Sequence, residues 1–300
     1  MDETQCRYVG SFALLKSATH RSPIPVSDFG GLNPLWYSNL FPGCVLHVCP
    51  QALSEFVKIL PQINVPFKLL TNNSDWTIPD DFKDSNVILN NHFLIKWFAQ
   101  NCIGTHEKLV RVPIGLDYHS MRPSEKKKRI WEQPEKHPWG IKKHATEQES
   151  DLMSFNRSPF WIRQVKAYAN FHLALKTGYG EKRYVQDRKD AMKIPSNLVF
   201  YQSWEYRNVC WQNMSQYAFV ISPQGNGLDC HRTWEALCLG CIPIVKSGLD
   251  SLFDDLPVWI VNDWSEVTQE NMVKKIEEFR NKTFKYEKLT LAYWRNILAQ

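Results

Sequence analysis

An arginine and a glutamate three residues apart, behind a glycine-containing loop, are the side chains of this 300-residue sequence best suited to chemistry. Arg232 and Glu235 follow the segment 222–228, which carries Gly225 and Gly227. A helix that begins behind such a loop presents unpaired backbone N–H groups to an anion. The arginine adds a permanent cation near a phosphate, and a carboxylate on the same helix face suits sugar hydroxyls. The spacing therefore predicts a binding site for a nucleotide-sugar.

The residues around this loop predict the elements that position it. Apolar residues up to Ile221 indicate a strand, Gly240 suits a left-handed helix end, and 242–245 indicate a second buried strand. Asp229 has the chemistry of a helix N-cap, with direct ligand contact as the alternative. His231 at the helix start could donate to a phosphate oxygen, with a surface histidine as the alternative. This order of elements predicts one half of a ligand site.

Strands alternate with helices in both halves of the chain, which predicts a doubly wound α/β fold with mostly parallel sheets. We expect two Rossmann-like domains that face each other across a cleft. The N-terminal domain is predicted over 1–125, a basic linker over 126–154, and the C-terminal domain over 155–300. In the first half, strands are predicted over 44–49, 67–71, 87–90 and 109–113, and helices over 51–60 and around 93–98. In the second half, further strands are predicted over 166–171, 198–201 and 258–261, and helices over 183–192, 211–217 and around 272–279.

Charge and cysteine usage argue against several classes of protein. The net charge of +5 is carried by 126–144, where seven Lys or Arg residues meet two Glu, so no folded basic face for nucleic acid is expected. No apolar stretch approaches the roughly 20 residues of a membrane span, and the N-terminus does not read as a signal peptide. Cys238 and Cys241 lack the partners of a metal site, so we expect no metal. We also expect reduced thiols and a cytoplasmic protein.

The geometry of doubly wound sheets selects a second set of residues. Ligands bind outside the carboxyl ends of the parallel strands, and two facing domains bring both sets of strand ends to one cleft. Arg183 begins the helix after the first strand of the second domain, and Arg188 lies further along that helix. The other strand-end residues selected are Asp75, His92, Asp117 and His119 in the first domain, and His172, Gln202 and the loop 222–232 in the second.

The segment around Arg232 is similar to the donor-binding region of exostosin-type glycosyltransferases over about 217–265. In that family an Arg, two residues, an acidic residue and Ala precede a strand with Ile or Val before Pro, as in Arg232-Thr-Trp-Glu235-Ala and Gly240-Cys-Ile-Pro-Ile-Val245. The resemblance implies a GT-B enzyme that uses a UDP-sugar with inversion and without an essential metal. It also implies that Arg232 meets the diphosphate and Glu235 the ribose. GT-B enzymes often place a second phosphate-binding cation at the start of the helix that Arg183 begins, so the resemblance makes Arg183 the candidate and Arg188 its competitor.

A longer string, SPQGNGLDCHRTWEAL, also resembles soluble exostosin-like enzymes encoded by large DNA viruses of algae. This narrower resemblance implies a pentose donor such as UDP-xylose, a viral origin and a location in the host cytoplasm. The predicted donor-site residues are His172, Arg183, Ser222, Gly225, Gly227, Asp229, His231, Arg232 and Glu235.

Inverting transfer needs a general base that removes the proton of the acceptor hydroxyl opposite the diphosphate. It must come from the N-terminal domain across the cleft. Asp75 is the first choice and His92 the second, with Asp117, His119 and Asp28 as alternatives.

We therefore predict an inverting glycosyltransferase with a nucleotide-sugar donor, a glycan acceptor and no cofactor. The sequence has no Asp-x-Asp, the motif with which GT-A enzymes hold a metal. One rival is a GDP-fucose-type transferase, although those enzymes usually carry Glu-Lys where this chain has Glu235-Ala236. The other rival is a non-catalytic glycan- or nucleotide-binding protein on the same fold, in which loss of Arg232 or Glu235 would be expected.

Overall fold

Two parallel β-sheets form the framework of the chain. The computed structural model describes residues 3–23, 29–118, 144–155, 158–173, 184–203 and 205–300. The strands of the first sheet lie in the order β1-β2-β3-β4, and those of the second in the order β6-β5-β7-β8-β9. The first sheet comprises β1 (Cys44–His47), β2 (Phe67–Thr71), β3 (Leu94–Ala99) and β4 (Leu109–Arg111). The second comprises β5 (Gln164–Ala169), β6 (Val199–Tyr201), β7 (Tyr217–Ile221), β8 (Ile242–Lys246) and β9 (Trp259–Val261).

Helices connect the parallel strands and cover both sheets. β1, β2 and β7 are buried along their whole length, as expected for strands with both faces covered. This architecture confirms the predicted α/β class with two Rossmann-like sheets. The helices in and around the first sheet are α1 (Ser11–Leu15), α2 (Leu53–Ile59), α3 (Ser85–Leu89) and α4 (Ala145–Ser154). Those of the second half are α5 (Val185–Ala191), α6 (Arg207–Met214), α7 (His231–Cys238), α8 (Gln269–Arg280) and α9 (Leu291–Ala299).

One helix and one strand of the first sheet are exchanged relative to the sequence prediction. The segment predicted as a strand over 87–90 belongs to α3, and the segment predicted as a helix around 93–98 is β3. Within α3, Val87 is 51% exposed whereas Ile88 is fully buried, which fits a helix with one apolar face. Trp97 and Phe98 are both buried in succession, because β3 lies between β2 and β4 with both of its faces covered. In short apolar runs, the spacing of the apolar residues does not distinguish a strand from a helix.

The two sheets are held together by the end of the chain. α9 returns to the first sheet, where the Lys68 ammonium donates to the carbonyls of Leu298 at 2.9 Å and Ala299 at 2.7 Å. Lys68 is 4% exposed, so these two hydrogen bonds are made by a buried cation. One apolar cluster also contains residues of both halves, including Leu14 and Trp294. The last helix therefore packs on the first unit, although its sequence position is in the predicted C-terminal domain.

The predicted linker divides into two parts. Residues 126–143 lie outside the part that the structure describes. α4 lies against the N-terminus, because Glu149 accepts hydrogen bonds from the backbone N–H groups of Arg7 and Tyr8 and from the Tyr118 hydroxyl. In the described ranges, we find no helix long and apolar enough to cross a bilayer.

Candidate functional site

The loop between β7 and α7 is shaped by its two glycines. The Gly225 N–H donates to the Gly227 carbonyl at 2.9 Å, which closes the loop on itself. A Cβ at Gly225 would lie 3.1 Å from the Arg188 guanidinium and 3.2 Å from Cys230 Sγ. A Cβ at Gly227 would lie 2.6 Å from the side-chain nitrogen of Asn101. A larger residue at Gly227 would therefore displace the Asn101 side chain, and one at Gly225 would crowd Arg188 and Cys230.

Two arginines lie beside this loop. Arg188 on α5 is 6% exposed and donates through Nε to the Gln224 carbonyl at 3.0 Å and through a terminal nitrogen to the His172 carbonyl at 2.5 Å. Arg232 in the first turn of α7 donates through Nε to Asn170 Oδ1 at 2.6 Å. Burial, and then the charge of Arg232, hold the pKa of Arg188 below its ordinary value. Two cations close enough to repel each other mark a point where an anion would be stabilised.

Charged groups of both units act on the pKa of the Cys230 thiol. Burial is the main cause that raises the pKa of Cys230. The charges of Arg232 and Arg188 lower that pKa, while those of Asp229 and Asp75 raise it. Asp75 follows β2 in the first sheet, whereas both arginines belong to the second. The start of α7 is thus the place where groups of both units meet.

Asp75 lies at the carboxyl edge of the first sheet. The carbonyl of its neighbour Ser74 accepts hydrogen bonds from the side-chain amides of Gln100 at 2.8 Å and Asn101 at 3.2 Å, which directly follow β3. Asp75 itself is half-buried. These contacts fix the backbone before Asp75 at the edge that faces the loop of the second unit.

His92 lies at the amino end of the strands of the first sheet, opposite the carboxyl end that carries Asp75. It was selected as a residue that follows a strand, and this prediction was wrong. It precedes β3 instead of following a strand, and its ring is exposed and packs on Phe93 at a centroid distance of 3.8 Å. The six residues of β3 separate it from the edge that carries Asp75. At about 3.3 Å per residue this separation is roughly 20 Å, too far for a role at the same reacting atom.

Buried polar contacts join the two units at the loop. The Asp229 N–H donates to Asn101 Oδ1 at 2.9 Å, and the Ile114 N–H donates to an Asp229 carboxylate oxygen at 2.8 Å. Asn101 has a positive φ of 51°, a conformation that asparagine tolerates better than most residues. Two Rossmann-like sheets that face each other across this contact have the predicted GT-B arrangement.

The prediction that Asp229 caps α7 was wrong. The N-cap is Cys230, which makes no side-chain capping bond, and the Asp229 carboxylate accepts instead from Ile114 and from the Trp234 indole at 3.0 Å. Asp229 is 4% exposed, and its contacts join the two units. Trp234 is 1% exposed and is a core residue.

The buried Asp229 carboxyl gives the stability of the protein a pH dependence. Burial raises its pKa from 3.8 to about 6, although its hydrogen-bond donors oppose the shift. The folded state therefore holds this proton more tightly than the unfolded chain, and stability falls as the pH rises from about 4 to about 6. We expect Asp229→Asn to remove this fall. The free energy of unfolding of the wild type minus that of the variant should decrease by at most about 3 kcal/mol from pH 4 to 7 in urea titrations. A difference that is constant across this range would contradict the assignment.

His231 and Glu235 are both engaged by partners within the protein. His231 Nδ1 lies 2.7 Å from the Gly115 carbonyl, which can only accept, so Nδ1 carries a proton. The neutral ring then presents an unprotonated Nε2, and only the imidazolium could donate to a phosphate. Glu235 forms an ion pair with Arg207 at 3.0 Å, with both side chains largely buried.

Several predicted donor-site residues have other roles or lie outside the described ranges. Ser222 is 3% exposed and its hydroxyl contacts Thr233 Oγ1 at 2.9 Å, so it supports the loop from inside. His172 is exposed, and its carbonyl accepts from Arg188. Arg183 falls outside the described chain, and its competitor Arg188 lies at the loop. Asp28 and His119 fall outside the described chain as well.

Arg207 is the functional candidate that the sequence did not indicate. Besides Glu235 it contacts Gln148 Oε1 at 2.9 Å and the Asp117 carbonyl, and its guanidinium lies 4.7 Å from the Trp211 ring centroid. It thereby connects α6 and α7 of the second unit to the segment after β4. No motif marks this residue, because its partners are distant in sequence. In the chain as described, no cluster of ligands for a metal ion occurs.

Comparisons with known proteins gave distant structural similarities only. No family model and no curated protein matches the chain. The apo structure of OtsA is similar over 85% of this chain and 72% of its own, with 10% identity and a TM-score of 0.40. A structure described as trehalose-6-phosphate from E. coli bound with UDP-2-fluoro glucose has 11% identity and a TM-score of 0.37 over 85% of this chain and 72% of that one. An α1,3-fucosyltransferase with GDP-fucose has 12% identity and a TM-score of 0.36 over 96% of both chains. These similarities carry no conclusion about the activity of this chain.

Proposed function

We propose that this protein is a glycosyltransferase that moves a sugar from a UDP-sugar to a glycan hydroxyl with inversion and without a metal. The observation that carries the proposal is that Arg188 and Arg232 lie beside the loop 222–228, while Asp75 follows Ser74, whose carbonyl is joined through Asn101 to the same loop. Two cations from one unit and a carboxylate from the other are the groups that a single displacement on a sugar diphosphate needs. Xylose is the proposed sugar, on the viral resemblance of the sequence.

The two arginines have the chemistry to stabilise the leaving diphosphate. Both are held by bonds to the protein, Arg188 to carbonyls and Arg232 to Asn170, so their positions are set before a ligand arrives. Charge that develops on the leaving group is best stabilised by such preorganised donors. The glycines of the loop allow the backbone to approach the same anion closely.

Asp75 is the proposed general base. It would accept the proton of the acceptor hydroxyl as the hydroxyl oxygen attacks the anomeric carbon, while the bond to the diphosphate breaks on the opposite face. We propose Glu235 for the ribose hydroxyls, with Arg207 holding the carboxylate in place. His231 is proposed as a phosphate donor in its imidazolium form.

Donor hydrolysis and transfer in EDTA test this function. We expect slow release of UDP from a UDP-sugar, with UDP-xylose the best of a panel that includes UDP-glucose and GDP-fucose. The product of transfer should have the anomeric configuration opposite to that of the donor, which NMR reports directly. Release from GDP-sugars alone would assign the GDP-linked rival, and retention of configuration would contradict the role of Asp75. A protein that binds nucleotide without any turnover would match the non-catalytic rival.

A further inference from the structure

A second cleft lies between β4 and α9. It has a volume of about 310 Å³, and its other walls are formed by Ser251, Leu252 and Lys288. β4 is an edge strand of the first sheet, so this side of the sheet is not covered by another strand. The cleft shares no lining residue with the loop 222–228 or its arginines.

Arg111 gives this cleft an unused cation. It is the last residue of β4, it is half-buried, and it lines the cleft. Among the described residues its Nε has no hydrogen-bond partner, but this atom is shielded from the cleft, so a ligand there could meet only the terminal nitrogens. Within the part of the chain that the structure describes, the guanidinium forms no ion pair. A guanidinium without a carboxylate partner can bind an incoming carboxylate or phosphate through its terminal nitrogens.

The remaining walls favour an anion that carries a flat, apolar body. Tyr293 and Trp294 contribute aromatic surface, and the Trp294 ring is fixed by an indole bond to the Lys288 carbonyl at 2.8 Å. Lys288 adds a second cation, although its ammonium already donates to the Asp254 carbonyl at 2.5 Å. Among the described residues that line the cleft, none is acidic. A volume near 300 Å³ is at the lower end of the range for small-molecule sites.

We propose that this cleft binds a small carboxylate or phosphate on a ring-sized body, with Arg111 as the anion anchor and Tyr293 and Trp294 as the platform for the ring. Arg111 belongs to the first sheet, and α9 packs on that unit, whereas Ser251 and Leu252 on the facing wall follow β8 of the second sheet. The ligand would therefore contact both units at once. This proposal does not depend on the glycosyltransferase activity.

Three probes separate the contributions of ring and charge. Benzoate carries both, benzyl alcohol carries the ring alone, and inorganic phosphate carries the charge alone. Saturation-transfer NMR and the shift of the thermal midpoint with ligand concentration would measure binding to the full chain. Wild-type protein should bind benzoate saturably, at least tenfold more tightly than benzyl alcohol or phosphate. Arg111→Gln should weaken benzoate binding at least tenfold, while Arg280→Gln, a change at an exposed arginine on α8, should leave it unchanged.

The second variant is designed to fill the cleft. Ser251→Phe keeps Arg111 but occupies space between the walls, and it should also abolish benzoate binding. UDP binding should be unchanged in both variants, which separates failure of this proposal from failure of the donor site. Equal affinity for benzoate in Arg111→Gln and Arg280→Gln would overturn the proposal. Equal affinity of the wild type for phosphate and benzoate would overturn the ring platform.

Discussion

Asp75→Asn is expected to lower the transfer rate about 10³-fold while UDP binds with its affinity unchanged within about twofold. General-base catalysis contributes roughly 10² to 10⁴ to such reactions, and asparagine cannot accept the acceptor proton. The carboxylate lies at the sheet edge that faces the loop, where its charge raises the pKa of the Cys230 thiol. Asparagine has the same shape, so the fold and the donor site should survive. Single-turnover transfer and a parallel UDP titration measure the two effects separately.

Two further variants control for the position of this carboxylate. Asp80→Asn changes an exposed aspartate on the same loop and should retain full activity. Asp75→Glu keeps the base but displaces it, so a partial loss is expected. If Asp75→Asn retained wild-type transfer, the base would have to be another group.

Arg188→Gln and Arg232→Gln should each weaken UDP binding by about 10- to 100-fold. A hydrogen bond to a charged group contributes about 1.5 to 3 kcal/mol, which corresponds to this range of affinity. Arg188→Gln should have the larger effect, because it also removes bonds to the Gln224 and His172 carbonyls that hold the loop. Calorimetric titration measures both, and Arg280→Gln on exposed α8 should bind UDP like the wild type. Wild-type affinity in both loop variants would exclude this pair of cations as the phosphate site.

The sequence predicted the elements around the loop well because its local signals agree. The apolar run before Ser222, the glycines, and the left-handed Gly240 with φ of 75° each indicate the same strand, loop, helix and strand. The wrong predictions for the segments of α3 and β3 have a different cause. Both segments are short and apolar, and only their place in the sheet decides which of them is extended.

The roles of single polar residues depended on partners that no local pattern shows. Asp229 looked like a helix cap, yet its carboxylate accepts from Ile114, 115 residues away in sequence. Arg188 lies at the loop because α5 packs beside it, which the sequence left open as an alternative to Arg183. The ion pair of Glu235 with Arg207 likewise joins two separate helices, α6 and α7, and was not foreseen.

Titration of the wild-type protein with UDP in the presence of EDTA tests the central claim most directly. If the loop, Arg188 and Arg232 form a diphosphate site that needs no metal, UDP should bind saturably at one site. UMP should bind at least tenfold more weakly, because it lacks the second phosphate that the arginine pair would contact. Absence of UDP and GDP binding, or UDP binding that requires added Mn²⁺, would contradict the account.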